Sequence, residues 1–389
     1  MKKISLFIAA CTLCAAVGCS QDEGTDLTAS SSENIIGFMT NTTRAETLTL
    51  THLQEDDAGF AVYGIKNGNG SWDGQMDGSN FYSYVTGDWD WTGSKPAWPS
   101  ESTDYPINFY AFYPTTASGM SVDDNSESQL AITYQAPTDG QSDILVASAT
   151  TDERPVGDKL PLTFNHILSK VNLNVVTDET YVVYTQALGL NQICNERQYK
   201  VATGAWESQA ASDNDNFPYM LTQDPAVDSS SDDIVASYGD LMLLPQTTDS
   251  WDPESSSESV EGAHLYVIYR AEDVKGADLI GYEDASSHPD YNPDTDSAIA
   301  DMALFVMVGY PLGETDFTYE SGKGYTYNIN IGVENATNGY LIDDYYYDEG
   351  GNKTKFEVEG KDIGDAISDG YINFTVTVNS WEDTTSAVY

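Results

Sequence analysis

Apolar residues recur at every second position in run after run of this chain, and long stretches at helical spacing are scarce. In 105–113, Tyr105, Ile107, Phe109, Ala111 and Tyr113 fall on one side. In 171–175, Val171, Leu173 and Val175 oppose Asn172 and Asn174, and in 325–331 Tyr325, Tyr327, Ile329 and Ile331 oppose Thr326, Asn328 and Asn330. The last such run, within 371–378, sets Ile372, Phe374, Val376 and Val378 against Asn373, Thr375 and Thr377. A period of two is the pattern of a strand with one face on a core and the other in solvent. With Tyr, Thr and Val abundant besides, it predicts an all-β chain of packed antiparallel sheets, and the length of the chain is enough for two such β-sandwich domains.

The N-terminus has the parts of a secretory signal. Lys2 and Lys3 precede a largely apolar run, Ile4 to Val17, and small residues then lead to Cys19. The run is too short to cross a hydrocarbon core of roughly 30 Å as a helix. Ala16-Val17-Gly18-Cys19 resembles a bacterial lipobox, although Leu is the commoner residue where Ala16 stands. Cleavage before Cys19 would let its thiol carry diacylglycerol. Cys11 and Cys14 leave with the signal, so Cys194 is the one thiol of the mature chain that is not acylated. There is then no disulfide framework, and burial must hold the fold. Cys194 reads as a small buried residue, since nothing local would activate it as a nucleophile.

The predicted division is 1–18 signal peptide, 19–44 tether and pro-segment, 45–159 first β-sandwich domain and 160–389 second. The tether begins with the polar stretch 20–33. Next comes a short alternation with Ile36 and Phe38 on one side and Gly37 and Met39 on the other, ending at Thr42-Thr43-Arg44-Ala45. Three polar stretches, 119–129, 207–233 and 271–299, read as loops. The segment 150–159 reads as the join between the domains.

The chain has 62 acidic and 16 basic residues, for a formal net charge of −46. Phosphate backbones are bound by clustered Lys and Arg, so nucleic acid is excluded as a partner, and anionic membrane surfaces are disfavoured.

Several segments, in order over most of the mature chain, resemble the fimbrillin family, the pilin-like lipoproteins of gut and oral anaerobes. They are 104–114 (DYPINFYAFYP), 141–147 (QSDILVA), 162–171 (LTFNHILSKV), 243–246 (LLPQ) and 322–327 (GKGYTY). The resemblance implies two transthyretin-like sandwich domains and a shaft or tip subunit of a surface fimbria. It implies an outer-membrane lipoprotein precursor that a trypsin-like protease cuts after an arginine, here between Arg44 and Ala45. That cut would free the N-terminal strand, and a strand of another subunit would fill the groove left behind. On residue type alone, Arg44 reads equally well as an exposed arginine in a Thr-rich loop. The donor strand would be Ile372, Phe374, Val376 and Val378, unless that run closes its own domain. Implied partners are other fimbrial subunits (self, anchor or tip), the processing protease, and a glycan or protein on a host or bacterial surface.

Other chemistry finds little support. No HExxH, GxSxG, GxGxxG or phosphate-loop pattern occurs, so no enzyme and no cofactor is expected. Asp290, Asn292, Asp294 and Asp296 have the spacing of calcium ligands but lack the sixth-position glycine of such a loop, so no metal is expected. Trp72, Trp89, Trp91 and Trp98 could stack on sugar rings, which gives a rival reading as a lipidated glycan-binding protein that does not polymerise. In an all-β domain such residues more often pack against the sandwich.

Overall fold

The computed structural model describes residues 34–42, 59–67, 76–85, 88–137, 141–177, 181–207, 221–222, 226–227, 236–249, 251–253, 260, 262–273, 275–276, 278–312, 317–331, 339–367 and 372–380. Their regular structure is nearly all strand, as the alternation predicts. Fourteen strands carry the architecture: β1 (Gly37–Thr42), β2 (Phe60–Lys66), β3 (Asp77–Val85), β4 (Asp88–Trp91), β5 (Ile107–Tyr113), β6 (Leu145–Thr151), β7 (Lys159–His166), β8 (Ser169–Thr177), β9 (Tyr181–Asn191), β10 (Ala236–Leu243), β11 (His264–Asp273), β12 (Val306–Pro311), β13 (Lys323–Ile331) and β14 (Ile372–Ser380).

The first sheet has seven strands in the order β1-β7-β6-β5-β2-β3-β4. Its pairs are antiparallel except β1 with β7, which run parallel from Gly37 opposite Lys159 to Thr42 opposite Phe164. The sheet curls until its ends approach. Ile35 forms an antiparallel bridge to Ala97, just beyond β4, and the Ile36 N–H donates to the Pro96 carbonyl at 2.9 Å. Inside the curl lies an aromatic core that includes Phe38, Phe60, Tyr82, Trp91, Phe109 and Phe164.

Both faces of this sheet are buried at its centre, which the one-sided alternation of 105–113 does not anticipate. In β5, Ile107, Phe109 and Ala111 join the inner core, while Tyr110 and Phe112 join a second, larger one. The second core is the interior of a sandwich. One layer has the order β10-β8-β13-β14, with β8 and β13 parallel; the other is built on β9-β11-β12. Val171, Leu173 and Val175 of β8 and Tyr325, Tyr327 and Ile329 of β13 face that interior, as their spacing predicts.

The segment 150–159 is a turn inside the first sheet. It leaves β6, passes Gly157 at φ 85° and Asp158 at φ 63°, and enters β7, which pairs back onto β6. The chain quits the first sheet only at His166, and four hydrogen bonds tie down the crossing. The Trp206 indole and the Ser321 hydroxyl donate to the Ile167 carbonyl at 2.8 and 3.1 Å. The Gly322 N–H donates to Leu168 O at 2.9 Å, and the Ser169 hydroxyl to Glu320 O at 2.8 Å. A small sheet also spans the halves, pairing Ala131–Gln135 with Glu196–Lys200. From Ile35 to Tyr389 the chain therefore packs as one unit.

The three polar stretches are only partly loops. Met120–Asp123 is an edge strand of the small sheet, Ala226–Val227 pairs with β9, and 271–299 holds the end of β11, a short strand and one turn of helix, Pro293–Asp296.

Candidate functional site

The feature that stands apart is β1. It is an edge strand, it arrives from the N-terminal side of the whole fold, and it plugs the aromatic core. Phe38 is 1 % exposed. Its ring lies 5.2 Å from Tyr82, 5.4 Å from Phe109, 5.9 Å from Trp91 and 6.3 Å from Phe60, all edge-on, an arrangement aromatic quadrupoles favour. Ile36 is wholly buried beside it, and Met39 points outward at 46 % exposure. This in-out alternation is the one the sequence shows for residues 36–39.

The slot also holds β1 by its backbone. The Trp91 indole N–H donates to the Ile36 carbonyl at 2.7 Å, and the Gly37 N–H donates to the Asp158 carbonyl at 2.9 Å. The same Asp158 oxygen accepts the Trp98 indole N–H at 3.1 Å. Asp158 is positioned by the side chain of Arg154, whose Nη2 lies 2.8 Å from Oδ2, and the hydrogen bond from that guanidinium lowers the Asp158 pKa. Trp91 and Trp98 are thus core residues, 6 % and 4 % exposed, with their N–H groups spent on main-chain carbonyls. A sugar stacking on either would have to displace this packing. The side chains of Trp72 and Trp89 lie outside the described residues, as do Cys19, Arg44 and Ala45.

The C-terminal run Ile372, Phe374, Val376 and Val378 lies on β14, at the edge of its own sheet. It pairs antiparallel with β13 from Ile331 opposite Ile372 to Lys323 opposite Ser380.

The acidic run 290–296 forms a capped turn. The Asn292 side chain accepts from the Asp294 N–H at 3.0 Å, and Asp296 accepts from the Asn292 N–H at 3.0 Å. Asp296 also pairs with Lys355, and chiefly that contact pulls its carboxyl down to about 2. Among the described residues no three His, Cys, Asp or Glu side chains converge as metal ligands.

The segments that carry the resemblance turn out to be joints. His166 Nδ1 lies 2.6 Å from Asp143 Oδ2, linking 141–147 to 162–171 where the chain crosses between sheets. Gln246 ties two segments together through its side chain. Its Oε1 accepts from the Cys194 N–H at 2.7 Å, and its Nε2 donates to Cys194 O and Leu244 O at 3.0 Å. Tyr325 ties its turn by accepting from the Glu320 N–H at 2.8 Å and donating to Thr318 O at 3.2 Å. Cys194 is buried and forms no disulfide.

Sequence reading passed over the cage around Phe38, whose members come from β2, β3, β4 and β5. It also missed Trp251 and His264, a buried pair with ring centroids 5.3 Å apart. Burial depresses the His264 pKa to about 4, against a hydrogen bond to Gly262 O at 2.9 Å that raises it. Distance along the chain hides such partners, and no local motif marks them.

A family profile described as fimbrillin-like matches residues 43–344, most of the chain. This chain belongs to the fimbrillin-like family. The match starts at the residue after β1 ends. Among solved structures, a fimbrial protein from Bacteroides vulgatus is similar at TM-score 0.51 and 14 % identity, over 90 % of this chain and 99 % of that one. A protein from Bacteroides uniformis described as a cell adhesion protein aligns at TM-score 0.42 and 13 % identity, over 91 % and 100 % of the two chains. No curated protein matches. The fimbrillin-like family is one of structural proteins and not of enzymes, which gives this chain a fimbrial role at the cell surface. No helix among the described residues is long and apolar enough to cross a membrane.

Proposed function

We propose that the protein is a fimbrial subunit, shaft or tip, assembled by replacement of β1. In this reading the precursor is exported, lipidated at Cys19 and carried to the outer surface with β1 in its slot. A trypsin-like protease cuts between Arg44 and Ala45, and β1 leaves with the lipid. The open slot then takes a strand from another subunit, with 372–378 as the donor.

One observation carries the reading: an edge strand that fills an aromatic core ends at Thr42, two residues before Arg44. Losing an edge strand breaks one ladder and leaves the other six strands of the sheet paired. The loss also uncovers a row of main-chain donors and acceptors on β7 above an apolar trough, which is what strand addition requires. Donation of β14 gives up nine register pairs with β13 for a slot in which β1 makes six, so burial of the donor's apolar residues must supply the difference.

The test is limited digestion of purified precursor with a trypsin-like protease, followed by electron microscopy and unboiled gels. A cut after Arg44 that yields heat-labile, detergent-stable ladders supports the reading. An uncut chain, or a cut chain that stays monomeric, refutes it. Deletion of 371–389 should abolish the ladders if that run is the donor.

A further inference from the structure

The walls of the β1 slot make three different demands at three successive positions. At the first, Ile36 is wholly buried, its N–H donates to Pro96 O, and its carbonyl accepts the Trp91 indole N–H. At the third, Phe38 sits within four rings. The second position has almost no room. A Cβ on Gly37 would lie 3.1 Å from Lys159 Cγ, 3.3 Å from the Tyr82 hydroxyl and 3.4 Å from Asp158 O, so neighbours must yield slightly to any other residue. An aliphatic residue, then glycine or one that those neighbours can admit, then an aromatic is the sequence this slot accepts.

The Trp91 indole N–H adds a main-chain anchor to these pockets. Cross-strand pockets repeat every second residue, so a strand could slide by two and still point its apolar face inward. The tight second position opposes that slip, because a slide of two would bring Ile35 or Met39 against Lys159, Tyr82 and Asp158 in place of Gly37. Main-chain carbonyls, by contrast, recur every second residue, and the Trp91 indole would meet one in either register. Ile-x-Phe occurs three times in the chain: at 36–38, 107–109 and 372–374. The second lies in β5, locked between β6 and β2 at the middle of its sheet, whereas the third lies on the edge strand β14.

We propose that the β1 slot selects its occupant at these three positions, with the tight second position setting the register and the Trp91 indole anchoring the main chain, and that the occupant from a second copy is Ile372-Asn373-Phe374 placed where Ile36-Gly37-Phe38 lies. This rests on the strand-replacement reading and gives it a defined register. Asn373 is the imperfect residue of the three. Meeting Lys159 and Tyr82 at the tight position makes the incoming strand a poorer ligand than β1. The precursor therefore stays closed until β1 is severed.

The experiment uses full-length precursor nicked at Arg44 by an arginine-specific protease. Fluorescein-labelled peptides spanning 34–42 and 370–380 are then bound and followed by anisotropy. Both should bind, the first more tightly. Asn373→Gly should tighten the second about tenfold, and Phe374→Ala should weaken it by about a hundredfold or more, the scale of a core Phe truncation. Trp91→Phe in the protein should weaken both about tenfold, one hydrogen bond's worth. Equal binding of the 370–380 peptide with and without Asn373→Gly, or no effect of Trp91→Phe, overturns the proposal.

Should Trp91→Phe fail to fold, the peptide series on unaltered protein still decides. Should the chain resist nicking, hydrogen exchange on intact precursor reads Trp91 alone: amides of residues 36–42 should exchange about tenfold faster in Trp91→Phe, and no change overturns its role. Peptides that bind as described without ladder formation would sink polymerisation and leave this assignment standing. Ladders that form while Asn373→Gly and Trp91→Phe change nothing would do the reverse.

Discussion

Replacing Phe38 with alanine separates the two ways β1 could be held, by its ladder or by its side chains. The substitution leaves the six register pairs with β7 intact. It removes a ring that is 1 % exposed and packed against four others. Truncating a buried Phe to Ala costs about 3–5 kcal/mol, which already contains the lost ring-ring contacts. Because the site is at a sheet edge, that cost falls on detachment of β1 before it falls on the rest of the fold. At about 1.4 kcal/mol per tenfold, the detached state should rise by roughly 10²- to 10⁴-fold. Hydrogen exchange at the amides of residues 36–42 measures this directly, with β11 and β12 as internal references that should change little. A loss of protection below tenfold would mean the ladder, not the aromatic plug, retains β1. An equal loss in β11 would mean β1 opens only when the whole molecule does. Either result would remove the physical basis for releasing it separately.

Three further outcomes are expected. His264, neutral when buried with a pKa of about 4, should make folding stability fall as pH drops from 6.5 to 4, because only the unfolded chain takes up the proton there. The loss approaches about 3 kcal/mol and levels off below pH 4; His264→Gln should flatten that part of a Tm-against-pH curve, and a parallel curve would count against the assignment. Gly309→Ala would bring a Cβ within 2.6 Å of Ile342 Cγ2 and 2.9 Å of Trp251 Cζ3, so stability should drop by about 1–3 kcal/mol with a shift in tryptophan emission as Trp251 is displaced. Gln246→Ala leaves the Cys194 N–H and two carbonyls without their partner, and Cys194 should then react measurably with a thiol reagent under native conditions; an inert thiol would show that the loop closes without Gln246.

The sequence reading succeeded where structure is written locally. Val171, Leu173 and Val175 could be assigned to a core because their neighbours Asn172 and Asn174 are polar, and the pleat does the rest. It erred where two cores compete for one strand. Tyr110 and Phe112 look like the outer face of β5 until a second layer covers them, and nothing within 105–113 announces that layer. The turn at 150–159 has the composition of a linker, yet β7 turns back onto β6 and also receives β1 from far upstream in the chain. Ile36 and Phe38 were legible as an alternation, but their cage was not. Phe60, Tyr82, Trp91 and Phe109 come from four strands, and only the closed sheet makes them neighbours. The tryptophans show the same limit. Residue type favours packing of Trp91 and Trp98 against the sandwich and leaves sugar stacking as an alternative, and only the curl of the sheet, which turns both inward, decides between them.

The two parallel pairings, β1 with β7 and β8 with β13, bear on how such a subunit would resist force. In a parallel pair the hydrogen bonds are evenly spaced along the strands. Tension applied at opposite ends of such a pair loads every bond at once, in shear, instead of opening them singly like a zipper. β7 runs almost directly into β8, and the crossing at Ile167 and Leu168 is bolted by Trp206, Ser321 and Gly322. A pull entering through the occupant of the β1 slot would pass along β7, through that bolted crossing, into β8 and across to β13. The subunit would then carry load as a chain of lap joints, and rupture would begin at an exchanged strand and not within the fold.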